Sequence, residues 1–356
     1  MLLPHLPLAA SLAVFVACAA VIWIAGVSLS NYTDVLSHRL HLGAALGGLV
    51  LLAVATNLPE IAITITAAAN GQIDIAVSNI LGGIAIQTVV LVALDAFGVP
   101  VRRPLTYQAA SLALVLEGAV VVAILLVCVM GAQLPAHAIA FRLTPDVVAI
   151  AVIWVVGLVL TQKATRSLPW QNNGVAPDTQ PEPRGHSIQK RAAEAARKGV
   201  STRRAATVFG GAAVVTLVAG SLLEESGSQA ADSLGLSGVL FGATVLAAAT
   251  AIPELSSGIA AVRSGDYQLG FGDIFGGNAF LPVLLLLATV ISGKAILPNA
   301  HPSDIYLAAL GAILTLIYMA GLVFRPAKEH ARLGVDSIAV LAIYLLAIAG
   351  LPALPS

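Results

Sequence analysis

Ala53-Val54-Ala55-Thr56-Asn57-Leu58-Pro59-Glu60 returns, 194 residues further on, as Ala247-Ala248-Ala249-Thr250-Ala251-Ile252-Pro253-Glu254. The same offset carries Gly82-Gly83 onto Gly276-Gly277 and Ala85 onto Ala279, and it carries Gly71, Ile80 and Val89 onto Gly265, Ile274 and Val283, with no insertion needed. Chance rarely holds such a register, so the chain reads as a duplication. Both copies place a proline, a glutamate and a glycine pair inside long apolar runs, where a broken helix or a buried charge is costly. Interrupted apolar segments at corresponding positions of two halves point to the binding site of a secondary transporter.

Composition puts those halves in a bilayer. Apolar residues make up 58% of the 356 and charged residues 10%, too little charge to cover a soluble fold of this size. About 20 apolar residues cross the hydrocarbon core. Ten such stretches are predicted, near residues 8 to 30, 43 to 69, 73 to 98, 109 to 131, 145 to 162, 205 to 223, 236 to 262, 268 to 292, 303 to 324 and 335 to 353. The first is too long for a signal-peptide core and has no basic residue before it, so it is expected to be retained. The fold class is therefore all-α integral membrane, with a first five-helix half (1–162), a hydrophilic loop (163–204) and a second five-helix half (205–356). The two repeats fall at about 43–98 and 236–292. An odd number of spans per half turns the second copy upside down relative to the first, an inverted repeat.

Basic residues orient the chain. With the N-terminus outside, 16 of the 18 Lys and Arg fall in inward loops, and only Arg142 and Lys294 face outward. Glu224, Glu225 and Asp232 are expected in an outward loop, and the placement of Lys and Arg satisfies the positive-inside rule. Both termini are then outside, the central loop is cytoplasmic, and the protein is a multi-pass protein of the cell membrane. The basic stretch from Ser187 to Arg204 reads as part of a solvated linker facing anionic lipid, with a regulatory role as the alternative. Cys18 and Cys128 lie in apolar spans and imply neither disulfide nor thiolate site. The partners expected are inorganic cations and the lipid bilayer, with no nucleic acid and no cofactor; oligomeric state is left open.

The chemistry sits in the repeats. Pro59 and Pro253 remove backbone donors, and Gly82-Gly83 and Gly276-Gly277 are expected to loosen the spans that follow, freeing carbonyls where they line a cavity. Glu60 and Glu254 sit near mid-span, each at a cost of about 2.5–3.5 kcal/mol. A shared cation or a bound proton relieves that cost. Thr56 and Thr250, one turn earlier, offer oxygens on the same face. Asn79 and Asp273 match across the repeat, so one copy carries a charge the other lacks. Glu117 and Asp95 have no acidic counterparts. A packing kink, a close helix contact or a protonated glutamate explains each feature singly, but not their joint duplication.

These residues resemble the calcium/cation antiporter superfamily, which includes the sodium/calcium and the proton/calcium exchangers. Its signature is a duplicated α-repeat close to G-T-S-x-P-E followed by G-N-x-x-G-S-N-x-x-N/D. Here the matching text is Ala55-Thr56-Asn57-Leu58-Pro59-Glu60 with Ser78-Asn79-Ile80-Leu81-Gly82-Gly83-Ile84-Ala85-Ile86-Gln87. The second copy reads Ala249-Thr250-Ala251-Ile252-Pro253-Glu254 with Gly272-Asp273-Ile274-Phe275-Gly276-Gly277-Asn278-Ala279-Phe280-Leu281. The resemblance implies that Glu60 and Glu254 are the central calcium ligands, supported by Thr56 and Thr250. Asn57 and Ala251 replace the family's serine after threonine, Gly83 and Gly277 replace the serine of G-S, and Gln87 and Leu281 take the terminal N/D position. Gln87 still offers an amide oxygen. Leu281 offers none, and Asp273 restores a charge from elsewhere. The loss of neutral oxygens favours protons over sodium as the counter-ion to Ca2+.

Two rival classes are weaker. Gly270-Phe271-Gly272-Asp273 and Pro352-Ala353-Leu354 match the G-x-G-D and P-A-L of intramembrane aspartyl proteases, but no Tyr-Asp pair supplies the second aspartate. All seven histidines lie outside the apolar spans, so zinc-hydrolase chemistry of the H-E-x-x-H kind is not expected and the protein is not read as an enzyme. A passive cation channel could also use acidic side chains in its pore.

Overall fold

The computed structural model describes residues 3–39, 51–99, 103–136, 140, 142–166, 199–263, 265 and 267–354. Within them the first half comprises α1 (Leu8–Arg39), α2 (Leu51–Thr56), α3 (Leu58–Asn70), α4 (Ile73–Gly98), α5 (Leu105–Ala109), α6 (Leu112–Gly131) and α7 (Pro145–Arg166). The second half comprises α8 (Thr202–Ser233), α9 (Gly238–Thr250), α10 (Ile252–Arg263), α11 (Tyr267–Phe280), α12 (Leu284–Ser292), α13 (Pro302–Phe324) and α14 (Val335–Gly350). A two-residue hairpin, β1 (Glu329–His330) with β2 (Leu333–Gly334), precedes α14. Among the described residues eight helical segments are long and apolar enough to cross a membrane, and α9 with α10, bent by 40°, make a ninth. The expected span at 43 to 69 lies partly outside the described residues, as does most of the 163–204 loop. Trp23, Ile24, Leu126, Met130, Phe324 and Leu346 are exposed on their spans, as lipid-facing side chains should be.

Two cores hold the helices. The larger runs through α4, α6, α11 and α13 around Leu81, Ile84, Leu91, Phe271, Phe275 and Tyr318. The smaller joins α1 and α8, which pack along each other, to α3 and α9. Glycine lets α1 and α8 approach the two interrupted spans. A Cβ on Gly26 of α1 would lie 2.9 Å from the Pro253 side chain, and one on Gly220 of α8 would lie 3.3 Å from Pro59 Cα. Those two glycines are themselves 194 residues apart.

The duplication extends beyond the motifs. Helices 112–131 and 302–324 start 190 residues apart, as do α7 and α14. Ser111 and His301 cap the first pair. Arg142 and Arg332, also 190 apart, both take positive φ, at 59° and 70°. The Ala140–Leu143 bridge repeats as His330–Leu333. Asp146 and Asp336 then sit against Gly131 and Gly321 respectively.

Two expectations are corrected. The glycine pairs do not loosen their helices: Gly82-Gly83 lies inside the continuous α4 and Gly276-Gly277 inside the continuous α11. A helical glycine costs only about 1 kcal/mol relative to alanine, less than tight packing returns. Gly82 is where α4 meets the backbone of Ala243, at a π-helical turn, Gly242–Leu246, within α9. Glu224, Glu225 and Asp232 do not form an outward loop either. They belong to α8, with both glutamates buried. Residues 224–233 are too polar to read as a span, yet no proline stops the helix and α1 and α3 cover it.

Polar contacts gather at the two ends. Arg103 and Arg325 flank the Tyr107 ring at 5.2 and 4.9 Å, and Arg263 donates to the Phe97 carbonyl near the C-terminus of α4. Arg142 donates to the Val290 carbonyl and lies beside Gly293, next to Lys294. Asp95 fastens the end of α4. Its carboxylate accepts from the Leu105 and Gly334 amides and from Ser337 Oγ, each at 2.7 Å.

Gly82→Val should lower the thermal midpoint of detergent-solubilised protein by several degrees, since overpacking of this kind costs about 1–3 kcal/mol. Gly276→Ala should leave it unchanged, because a Cβ there meets nothing within 4 Å. Equal melting of the two variants would contradict the packing role of Gly82.

Candidate cation site

Each repeat begins a new helix in mid-span. α2 ends at Thr56 and α3 starts at Leu58 after one residue, Asn57. α9 ends at Thr250 and α10 starts at Ile252 after Ala251. The interruption is a single-residue bend rather than an unwound stretch. Ile61 N–H still bonds the Asn57 carbonyl at 3.0 Å, and Leu255 N–H bonds that of Ala251 at 3.1 Å. Pro59 and Pro253 each fall second in the new helix, where an amide proton has no intrahelical partner to lose. Glu60 and Glu254 fall third, in the first turn. Anions are favoured there by the N-terminal end of the helix dipole.

The two carboxylates are buried, at 1% and 0% exposure. Oε2 of Glu60 and both oxygens of Glu254 have no hydrogen-bond partner. Glu254 lies in the electrostatic field of both Glu60 and Asp273. The Thr250 hydroxyl faces the Glu60 carboxyl across the repeats and donates to the Ala247 carbonyl at 3.1 Å. Thr250 thus lies beside the glutamate of the other repeat. The dipole supplies at most about 2 kcal/mol per carboxylate, against about 2.5–3.5 kcal/mol for each charge at this depth. Mutual repulsion widens the deficit, and a bound cation or proton closes it.

Other buried polar groups lie on these helices and on α4 and α11, which pack against them. Among the described residues no three His, Cys, Asp or Glu side chains are grouped so as to hold a metal ion, so amides and hydroxyls have to complete any shell. Asp273 Oδ2 accepts from Ser257 Oγ at 2.7 Å, and Ser257 also approaches the Glu254 carbonyl at 3.2 Å. Asn79, the counterpart of Asp273, is fully buried with neither side-chain atom bonded. Gln87 Nε2 reaches Asn57 Oδ1 at 3.5 Å, leaving Gln87 Oε1 unpaired. Thr56 is buried. Glu117 is buried on α6, and its Oε2 is unpaired.

Three contributors escaped the sequence reading: Asn57, Ser257 and Asn278. Asn57 counts there only as a lost serine, yet it stands at the first break. Asn278 Nδ2 donates to Thr88 Oγ1 at 3.1 Å, and its own Oδ1 is buried without a partner. An asparagine in the middle of an apolar run was the available signal. Gly277 makes room for this polar layer, since a Cβ there would lie 3.1 Å from Asn57 Nδ2 and 3.4 Å from Gln87 Oε1. Asp273, the proposed protease aspartate, is committed to Ser257 and to the field at Glu254, while Pro352 belongs to the terminal turn Leu351–Ala353.

The profile described as "Sodium/calcium exchanger protein" matches residues 10–162 and 204–351. The chain belongs to that family. The unmatched stretch between the two segments coincides with the hydrophilic loop. Among curated proteins it is similar to "Inner membrane protein YrbG" of Escherichia coli (strain K12), 26% identical over 268 residues, which is 75% of each chain. "Putative antiporter CaxA" of Alkalimonas amylolytica is 25% identical over 314 residues, covering 88% of this chain and 90% of that one. Among solved structures, the H+/Ca2+ exchanger CAX aligns with a TM-score of 0.64 at 14% identity, over 97% of this chain and 82% of that one. The sodium-calcium exchanger NCX_Mj aligns at 0.57 and 18% identity, over 96% and 99%. The fold of this family member is thus that of cation exchangers.

Gly277→Val should cut transport at least about tenfold while preserving the gel-filtration profile, because its methyl groups would displace the Asn57 and Gln87 amides without changing the scaffold. Gly83→Ala should be tolerated, its Cβ meeting only Leu281 Cδ1 at 3.6 Å.

Proposed function

We propose that this chain is a secondary active antiporter that exchanges calcium or a related divalent cation against protons across the cell membrane by alternating access. The observation that carries the reading is the pair of buried glutamates, each in the first turn of a helix begun in mid-span, with three carboxylate oxygens unpaired. Glu60 and Glu254 bind the cation. Thr250, Thr56, Asn79, Gln87 and Asp273 complete its surroundings. The relatives' names, one an antiporter and one an H+/Ca2+ exchanger, agree with this. Burial of both glutamates favours an occluded site over the continuous pore of a channel.

Protons are the proposed coupling ion. Gly83, Gly277, Ala251 and Leu281 bring no side-chain oxygen to the positions where the resembling exchangers have them. Protons need no such cage, only carboxylates that alternate between a cation and a proton in a low-dielectric setting. The architecture proposed is ten spans in two inverted five-helix halves, 1–162 and 205–356, with both termini outside and residues 163–204 as a cytoplasmic linker. Arg103, Arg263 and Arg325 gathered near the C-terminus of α4, and Arg142 beside Gly293, support that orientation under the positive-inside rule.

Purified protein in liposomes should accumulate calcium against an imposed proton gradient, and Glu60→Gln and Glu254→Gln should each reduce this by two orders of magnitude or more (about 3 kcal/mol) without loss of folded protein. Calcium flux down its own gradient with no counterflow would instead indicate a channel. Sodium-driven uptake that survives collapse of the proton gradient would replace the coupling ion. For topology, single cysteines at Asn173 and Gln229, in a background lacking Cys18 and Cys128, should label from opposite sides of the membrane with an impermeant reagent.

A further inference from the structure

The seam between α3 and α8 carries polar contacts beside the apolar ones of Ile63 and Leu223. Gly220 sits against Pro59 and Ala62, Thr66 Oγ1 bonds Ser221 Oγ at 2.9 Å, and Gln72 Nε2 donates to Ser228 Oγ at 3.0 Å. At the C-terminal end of α8 the seam opens into a cavity of about 370 Å³, whose lining includes Asn70, Gln72, Glu225, Ser228 and Asp232.

Residues four apart share a helix face, so Gly220, Glu224 and Ser228 form one stripe of α8. Gly220 touches the proline next to Glu60, and Ser228 lines the cavity. Glu224 stands between them. It is fully buried, and neither carboxylate oxygen has a hydrogen-bond partner. Helical side chains lean toward the helix N-terminus, which aims this carboxylate along the seam toward Pro59, over a glycine that offers no side chain to block it. Two other acids in this protein are hydrogen-bonded into the scaffold. Asp95 accepts three hydrogen bonds, and Glu225, one residue on, accepts from the Leu3 amide at 2.8 Å. Glu224 has been given no such work.

We infer that Glu224 is a staging carboxylate for the transported divalent cation, receiving it from the cavity at the end of α8 and presenting it to the Glu60 and Glu254 pair. The inference rests on the antiporter reading. It adds an acidic position outside the central site, one that the repeat does not duplicate, and it makes the two membrane faces unequal. The anion concentrates cations on one side of the central site only.

The test uses full-length protein in liposomes with radioactive calcium as the probe, and the face bearing the cavity is identified by labelling Gln229→Cys. Glu224→Gln should slow calcium entry from that face at limiting calcium by about tenfold, the scale of electrostatic focusing. Entry from the opposite face, and equilibrium calcium binding in detergent, should stay at wild-type values. Glu224→Asp should retain most of the wild-type rate. Equal rates for wild type and Glu224→Gln, or an equal loss from both faces, overturns the inference. Should Glu224→Gln fail to assemble, Asp232→Lys at the exposed mouth of the cavity should produce the same one-sided loss, and a symmetric or absent effect there also overturns it. Failure of wild-type protein to move calcium against a gradient would fall on the antiporter reading instead.

Discussion

A helix that begins in the middle of a bilayer exposes unpaired amide protons to a medium without water, and this chain begins two, each with a glutamate in its first turn. Most of the surrounding structure follows from that constraint. Proline is tolerated at the second position because its missing donor was surplus there. The carboxylate is favoured by the positive end of the helix dipole, though by less than its burial costs. The remainder has to come from a ligand, and that requirement separates a transport site from a kink.

Sealing such a site takes close packing. Gly26 and Gly220 let α1 and α8 rest on the prolines of the opposite repeat, Gly82 lets α4 meet the backbone of Ala243, and Gly277 leaves room for the Asn57 and Gln87 amides. The glycines act through what they allow to approach, with their helices intact. The Asp95 network holds the far end of α4 to the starts of α5 and α14 through three hydrogen bonds, giving the larger core a fixed frame against which the α1 and α8 pair lies.

Duplication shaped the scaffold, and divergence made its two halves chemically unequal. The glutamates, threonines and prolines are copied, but the neutral polar groups are not. Asn57 faces no equivalent at Ala251, Gln87 none at Leu281, Asn278 none at Ile84, and Ser257 none at Ile63. Asp273 carries a charge where Asn79 is neutral. A site with two-fold scaffolding and one-sided chemistry offers unequal partners in its two halves.

The apolar runs, the repeat and the two glutamates were legible in the sequence because each depends on local composition and spacing: hydropathy marks spans, and a proline followed by a glutamate inside a span marks a break. Nine of the expected stretches correspond to helices or a bent pair among the described residues, and the family membership agrees with the motif. What needed the tertiary structure was everything that depends on which helix lies opposite. Whether a glycine pair bends a helix or packs it is decided by its neighbour, so Gly82-Gly83 was misread. Whether a polar stretch is loop or covered helix is decided by burial, so Glu224 and Glu225 read as a loop. Thr250 reaching Glu60 is a contact between residues 190 apart. No periodicity records it, because a pattern within one strand of chain cannot specify which distant segment will fold against it.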